Sequence, residues 1–282
     1  MSSKRLETGE QAATLAADVR LADQVDVSRG VLVYATVLLG FVNLFQGLDR
    51  AALSVLVEPI KADLGLTDTQ LGLLTGFAFS LTYALFGIPL ARLADTRSRV
   101  KLLSVCLVVW SAATAIAGLA QNFIQLALTR VVVGIGEAGG SPASLSMMSE
   151  YYTPENRSRG MNLFMLGAAV GGSLGLGLVG VIADHYGWRI ALISMGLPGV
   201  LLAIVLLTTL PEPPRGRFQI NSKQFDTDIV WYQAIAQVLS RRTMLHLVVA
   251  YGICAFGGAG VSAWLGAFFM RSHGMSLSEV GV

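Results

Sequence analysis

The sequence is poor in charge and in the residues that build soluble catalytic or metal sites. Only 13% of its 282 residues are charged, whereas an ordinary soluble domain carries about 25%. Its two cysteines, Cys106 and Cys254, lie in apolar runs, which indicates neither a disulfide framework nor a zinc motif. The three histidines are scattered, and a net charge of +2 offers no broad basic face to nucleic acid. We therefore expect no metal, no organic cofactor and no nucleic-acid partner.

What the sequence does have is long apolar runs. Hydrophobic residue types make up 54% of the chain, and the mean hydropathy is +0.63. A helix needs roughly 20 apolar residues to cross a bilayer, and in lipid its backbone groups must bond internally. The runs therefore predict an all-α membrane protein whose main partner is the lipid bilayer. Seven spanning helices are predicted, at residues 31–57, 69–91, 101–120, 123–149, 160–183, 189–210 and 244–270.

The loops between these helices divide the chain into four parts. Residues 1–28 form a polar tail, and short loops join the six helices of a transmembrane bundle at 29–210. A proline-containing polar linker follows at 211–243, in which the apolar residues 229–232 indicate the start of a helix at the membrane surface. Residues 244–282 then provide the first helix of an incomplete C-terminal bundle. Because a second bundle would need further spans, we expect the chain to be a fragment of a longer protein.

The distribution of basic residues predicts the orientation. The tail, the loops after helices 2 and 4, and the linker carry most of the lysines and arginines, whereas the opposite side has only Lys61, Arg189 and Arg271. Short loops rich in lysine and arginine stay in the cytoplasm. We therefore expect a multi-pass protein of the inner or plasma membrane with a cytoplasmic N-terminus.

Four charged residues lie inside predicted spans: Asp49 and Arg50 in helix 1, and Arg130 and Glu137 in helix 4. Each costs about 2.5–3.5 kcal/mol at mid-membrane, so mutual pairing is expected. Arg130 and Glu137 share one helix face, about 10.5 Å apart along the axis. A carboxylate that is withdrawn from water and loses its partner binds a proton more readily, whereas arginine keeps its charge and can hold an anion. The four are therefore candidates for proton coupling and substrate binding, or alternatively structural ion pairs at a helix interface.

Small residues in helices 4 and 5 predict close helix packing. Glycines spaced by four residues let two helices approach closely in lipid. Gly167, Gly171 and Gly175 in helix 5 have this spacing. Helix 4 contributes the small residues Gly134 and Gly136.

Two segments resemble motifs of a known family. Residues 87–101, Gly-Ile-Pro-Leu-Ala-Arg-Leu-Ala-Asp-Thr-Arg-Ser-Arg-Val-Lys, resemble the loop between helices 2 and 3 of the major facilitator superfamily, although Ala91 and Ser98 stand where glycines are usual. Residues 130–138 are similar to the helix-4 motif of that superfamily. Their Gly-Glu-Ala ending, together with Asp49 and Arg50 in helix 1, is most similar to the Spinster-like branch.

This resemblance implies a fold, a function and site roles. The fold is a six-helix bundle of two inverted three-helix repeats, followed here by a seventh transmembrane helix. The function is secondary active transport, by alternating access, of an anionic or amphipathic lysolipid-like organic solute, with protons as the coupling partner. Asp49, Arg130 and Glu137 match the proton-coupling and substrate group.

In the same family, residues of the loop motif close a cytoplasmic gate. The matching positions here are Asp95, Arg99 and Lys101. The alternative is that these charges only set the topology of a cytoplasmic loop.

Other functions remain open beside transport. The chain is alternatively a non-transporting fragment, or a half-transporter that needs a separate C-terminal half. A seven-helix receptor is the least favoured, because the N-terminus is predicted inside and helix 7 has no lysine for a retinal Schiff base. No nucleophile and base stand together in the sequence, so we do not expect an enzyme.

Overall fold

The computed structural model describes residues 28–218 and 231–280, and the regular structure within them is helical. The predicted tail up to residue 27 and residues 219–230 of the predicted linker lie outside the described residues. The helices are α1 Arg29–Leu64, α2 Asp68–Thr96, α3 Arg99–Ala117, α4 Phe123–Tyr151, a long run Arg157–Thr209 that contains α5 and α6, α7 Trp231–Ser240, α8 Arg242–His273 and α9 Leu277–Val280.

Polar caps fix where the helices begin, and glycines fix where two of them end. A side-chain oxygen at the N-cap accepts a bond from a first-turn N–H that has no partner in the helix. Four residues do this here: Ser28, Thr67, Ser98 and Asn122. α1 stops at Gly65 and α8 at Gly274, which take the left-handed conformation with φ of 63° and 65°.

The long run Arg157–Thr209 contains two crossings. Its 53 residues would extend roughly 80 Å as one helix, far more than a bilayer's thickness. Gly187, with φ 82° and ψ 162°, breaks the helix, which gives α5 at 157–186 and α6 at 188–209. Within the described residues, α1–α6 and α8 are therefore long and apolar enough to span a membrane, in agreement with the seven predicted spans.

Two local features differ from the predicted helices. α1 continues seven residues past the predicted end at residue 57, through Pro59, and stops only at the Gly65 cap. α2 contains a π-helical turn at Leu73–Ala78, which no residue pattern in this apolar stretch indicated. The described part of α7 starts at Trp231, within the residues 229–232 from which a helix was predicted.

α1 packs against α5 through the predicted glycines. The three predicted glycines of α5 lie against the backbone of α1: Gly167 at Gly40, Gly171 at Leu44 and Gly175 at Leu48. An added Cβ at Gly171 would overlap the carbonyl oxygen of Leu44. Because that obstacle is backbone, it cannot turn aside as a flexible side chain would, and only glycine allows this approach.

The glycines of α4 allow it to pack closely against α2 and α3. A Cβ at Gly134 would overlap the Thr82 side chain and approach the Phe79 carbonyl oxygen on α2. A Cβ at Gly136 would lie 2.8 Å from the backbone nitrogen of Trp110 on α3. α4 is therefore held close to α2 and α3 on two sides.

The glycine contact between α1 and α5 can be tested with a pair of adjacent substitutions. We expect Gly171→Val to destabilise the protein by about 1–3 kcal/mol, the usual cost of overpacking, and to lower the thermal unfolding midpoint in detergent. Gly172→Val is the matched control, because a Cβ there meets nothing within 4 Å. Equal midpoints for the two variants would contradict the role of Gly171.

The two ends of the bundle differ in how α8 meets them. We call the end with the α1–α2 turn the Asp63 end, and the end with the α2–α3 turn the Arg99 end. α8 packs near the Asp63 end, where Gly266 faces the Ser54 carbonyl and Arg271 pairs with Glu58 and Asp68. Its first part, residues 242–262, is exposed.

Candidate functional site

The four predicted intramembrane charges lie together as two ion pairs between α1 and α4. Arg130 Nη1 is 3.3 Å from Asp49 Oδ2, and Arg50 Nη2 is 2.8 Å from Glu137 Oε2. Arg50 also donates from Nε to the same Glu137 oxygen at 2.9 Å. Neighbouring residues of α1 thus take partners seven residues apart on α4. The pairing offsets part of the cost of removing each charge from water.

The two pairs differ in their exposure. The side chains of Asp49 and Arg130 are 7% and 2% exposed, and that of Glu137 is fully buried. The Arg50 side chain, in contrast, is 49% exposed. Arg50 is therefore the most accessible of the four charged side chains, and the other three are enclosed by the described helices.

Aromatic rings of α2 hold Arg50 in place. The guanidinium carbon of Arg50 lies 5.3 Å from the ring centres of both Phe79 and Tyr83. A cation this close to an aromatic face is stabilised by the ring quadrupole. The rings also place apolar surface beside the exposed charge, which gives the site an amphipathic character.

Sequence reasoning missed two polar partners of the charged residues and one polar contact between helices. Thr114 on α3 donates a hydrogen bond to Asp49 Oδ1, and Gln46 Nε2 donates to the backbone oxygen of Glu137 at 3.4 Å. Asn43 Nδ2 donates to the backbone oxygen of Phe164 at 2.8 Å, which ties α1 to α5. The spacing of Asn43, Gln46 and Arg50 on one helix face was a usable signal. Thr114 offered none, since threonine is common in apolar helices.

The three predicted gate residues form no ion pair with one another among the residues that the structure describes. Arg99 is buried, and its Nε donates to Glu212 Oε1 at 2.8 Å. Asp95 and Lys101 are exposed, and in the part of the chain that the structure describes neither side chain forms an ion pair. Arg99 is thus engaged by Glu212, which follows α6, and the gate role of the three residues stays a prediction.

Residues 211–217, which we call the strap, fold back onto the Arg99 end. The Arg215 guanidinium donates to the carbonyl oxygens at the end of α2, those of Ala94, Asp95 and Arg97. The Glu150 carboxylate at the end of α4 accepts bonds of 2.9 and 3.0 Å from the backbone of Gly216 and Arg217. The strap therefore joins the ends of α2, α3 and α4, although its residues were predicted as part of a linker.

Glu212 anchors the strap at the start of α3. Its Oε1 accepts from the Arg99 N–H at 3.2 Å, and its Oε2 from the Ser98 hydroxyl at 2.7 Å and the Val100 N–H at 3.0 Å. Burial alone raises the pKa of Glu212, but these bonds to the ionised carboxylate outweigh it and bring the pKa below its ordinary value.

The lowered pKa of Glu212 predicts that the strap is held less tightly as the pH falls. A carboxyl whose pKa is lower in the folded state stabilises the fold fully above its ordinary pKa, and this stabilisation is lost as the pH falls through the folded pKa. We expect Glu212→Gln, which removes the charge at neutral pH, to speed tryptic cleavage after Arg215. Glu155→Gln, on an exposed side chain outside the strap, is the control. Unchanged cleavage in Glu212→Gln would show that Glu212 does not anchor the strap.

Comparison with known proteins places this geometry in a family. Residues 39–282 match the family model described as Major Facilitator Superfamily. The chain belongs to the Major Facilitator Superfamily. An MFS-type efflux pump of Mycolicibacterium smegmatis is 36% identical over 86% of this chain and 56% of its own length. Protein spinster homolog 1 of Xenopus tropicalis is 25% identical over 84% of this chain and 45% of its own. The chain thus spans about half the length of these relatives.

A solved structure supports the same placement. The crystal structure of a bacterial homologue of the human lysosomal transporter Spinster, inward-facing and unoccupied, superposes with a TM-score of 0.81 at 32% identity. The match covers 90% of this major facilitator chain and 59% of that one. The predicted all-α major facilitator fold and the resemblance to Spinster proteins are confirmed, and the chain is an integral membrane protein. One relative is named as an MFS-type efflux pump and another as a probable transporter, in line with the expectation that the chain is not an enzyme.

Proposed function

We propose that the chain forms part of a proton-coupled secondary active transporter of an anionic or amphipathic, lysolipid-like organic solute. The observation that carries this proposal is the pairing of a half-exposed cation, Arg50, with a fully buried carboxylate, Glu137. In this pair a proton can replace Arg50 as the partner of Glu137, and a solute anion can replace Glu137 as the partner of Arg50. The membership in the Major Facilitator Superfamily supplies the transporter class, and the whole protein's substrate is part of the proposal.

The coupling follows from the exchange of partners. When Glu137 takes up a proton, it loses its charge and its attraction for Arg50. The released guanidinium then binds an anionic group of the solute. Each ligand can shift the protein between outward-facing and inward-facing states only by binding one state more tightly. The Asp49–Arg130 pair holds α1 against α4 beside this exchange.

The rings beside Arg50 favour a solute with an apolar part. Phe79 and Tyr83 offer contact surface next to the cation, which suits a lysolipid with its anionic head on Arg50. Relatives named as a probable L-galactonate transporter of Escherichia coli and a hexuronate transporter of Bacillus subtilis support the alternative of a compact organic anion. Both solutes would use the same guanidinium.

A half-transporter that needs a separate C-terminal half is a second candidate. Large apolar side chains of the first part of α8 are exposed, among them Tyr251 at 78%, Ile253 at 69% and Phe256 at 86%. In a working transporter such a surface would pack against a second bundle.

We further propose that the Arg99 end faces the cytoplasm of an inner or plasma membrane, because the basic residues concentrate there. In a variant without Cys254, a cysteine at the exposed position Lys101 should react with an impermeant thiol reagent from the cytoplasmic side only, and one at Lys61 from the opposite side only. The reverse pattern would overturn this orientation.

The function is tested in proteoliposomes containing the 282-residue chain, alone or together with the C-terminal bundle of the Spinster-like bacterial homologue. Labelled lysophospholipid and labelled hexuronate are offered separately, with and without an imposed proton gradient. The proposal expects gradient-dependent uptake of at least one solute. Uptake only with the second bundle would favour the half-transporter. Absence of uptake in both preparations, with correctly folded protein, would refute the proposal.

A further inference from the structure

One donor nitrogen of the Arg130 guanidinium has a hydrogen-bond partner, and the other two have none in the described residues. Its Nη1 donates to Asp49. Its Nε and Nη2 atoms are also buried, but they have no hydrogen-bond partner among residues 28–218 and 231–280. Buried donors of a charged group are costly to leave unpaired. Nε and Nη2 of Arg130 therefore require an acceptor.

Arg130 is one of the residues that line a gap between α1, α2 and α4. Besides Arg130 itself, its lining includes Leu53, Val57, Ile60, Leu74, Thr75 and Leu126. The α1 residues lead toward the C-terminal end of that helix, and those of α2 and α4 lie near the N-terminal ends of theirs. All three of these helix ends are at the Asp63 end. The gap therefore extends from Arg130 toward the Asp63 end, away from the strap.

Thr75 is the polar side chain in this lining besides Arg130. Its hydroxyl donates to the Leu71 carbonyl at 3.0 Å, so its oxygen can still accept a bond. Thr75 lies in the π-helical turn Leu73–Ala78. Such turns are rare and occur frequently at functional sites, where they shift the backbone relative to a regular helix. The irregular turn and the gap thus occur at the same level of α2.

We propose that this gap is a water-binding site that hydrates Arg130 from the Asp63 end. Arg130 Nε and Nη2 donate to the water oxygen, and the water donates to the Thr75 hydroxyl oxygen. These partners meet the two to four polar contacts that a buried water normally has. The site involves Nε and Nη2 of Arg130, whereas Nη1 pairs with Asp49. It stands on the geometry alone, so it does not depend on the proposed solute or on proton coupling.

Radiolytic hydroxyl-radical labelling of the wild-type chain in lipid nanodiscs tests the site, because radicals formed from bound water oxidise adjacent side chains. Leu74 and Leu126 are 2% and 1% exposed and line the gap, whereas Leu39 and Leu103 are fully buried and lie in a different core cluster. We expect the two gap leucines to be oxidised several-fold faster than the two core leucines. Equal rates would show a dry gap and overturn the proposal.

A pair of isosteric substitutions assigns the water to Thr75. Thr75→Val should bring the oxidation of Leu74 and Leu126 down to the rate of the core leucines. Thr82→Val, on the same helix and also bonded to its own backbone but outside the gap, should leave it unchanged. Persistent labelling in a folded Thr75→Val protein would refute the role of Thr75. If Thr75→Val does not fold, the wild-type comparison alone decides.

Discussion

Replacing Glu137 with glutamine is expected to abolish the response of solute uptake to a proton gradient while leaving exchange of solute across the membrane in place. Glutamine keeps the size of glutamate and can still bond to Arg50, but it cannot take up and release a proton. The Arg50 guanidinium, which is half exposed, is then permanently available to the solute. Uptake should therefore be driven by the solute gradient alone.

The measurement compares uptake into proteoliposomes with and without an imposed pH gradient. Glu155→Gln is a suitable control, because it removes the same charge from an exposed side chain at the loop between α4 and α5. A Glu137→Gln protein whose uptake still rises with the proton gradient, as in wild type, would exclude Glu137 as the proton carrier. Loss of both exchange and coupling in a folded variant would instead assign Glu137 to solute binding.

Removing Asp49 is expected to have the largest effect on stability. Asp49→Asn leaves Arg130 as a charge at 2% exposure without its counterion, and breaking a buried pair from one side costs about 3–5 kcal/mol. Arg50→Gln should cost much less, because its partner Glu137 can become neutral by binding a proton. Unfolding in a mild denaturant, followed by helical circular dichroism, gives both free energies.

A double substitution separates the lost pair from a general packing defect. Asp49→Asn combined with Arg130→Gln removes both charges, so most of the loss caused by Asp49→Asn should be recovered. If the two losses simply add, the residues are not coupled, and the ion pair between α1 and α4 does not stabilise the bundle.

The overall fold was predictable because lipid imposes a simple rule. A span must be long and apolar, so the gaps between charges predict the crossings, and the predicted helices at 160–183 and 189–210 lie on either side of the break at Gly187. The pairing of charges was predictable for the same reason, since four isolated charges in a bilayer are too costly. The resemblance of two short segments then placed the helices in a known fold.

Other features depend on contacts that sequence spacing does not determine. The prolines and charges of the strap are typical of a flexible connection and predict a linker, and no local feature indicates that Glu212 meets the start of α3, more than 100 residues earlier in the chain. The Thr114 bond to Asp49 likewise joins residues far apart in the chain, 65 positions from each other. The π-helical turn of α2 has no sequence signature in an apolar helix. Only the three-dimensional arrangement shows which partner each charge takes and that Arg50 is the exposed one of the four.

The balance of charge in the two ion pairs has an electrical consequence. Two guanidinium groups and two carboxylates sum to zero, so one proton on Glu137 and one monovalent anion on Arg50 leave that sum unchanged. A transport cycle that binds the proton and the anion together would therefore carry no net charge across the bilayer. Its rate should then follow the chemical gradients of proton and solute and be insensitive to voltage, whereas a divalent headgroup would make the same cycle electrogenic.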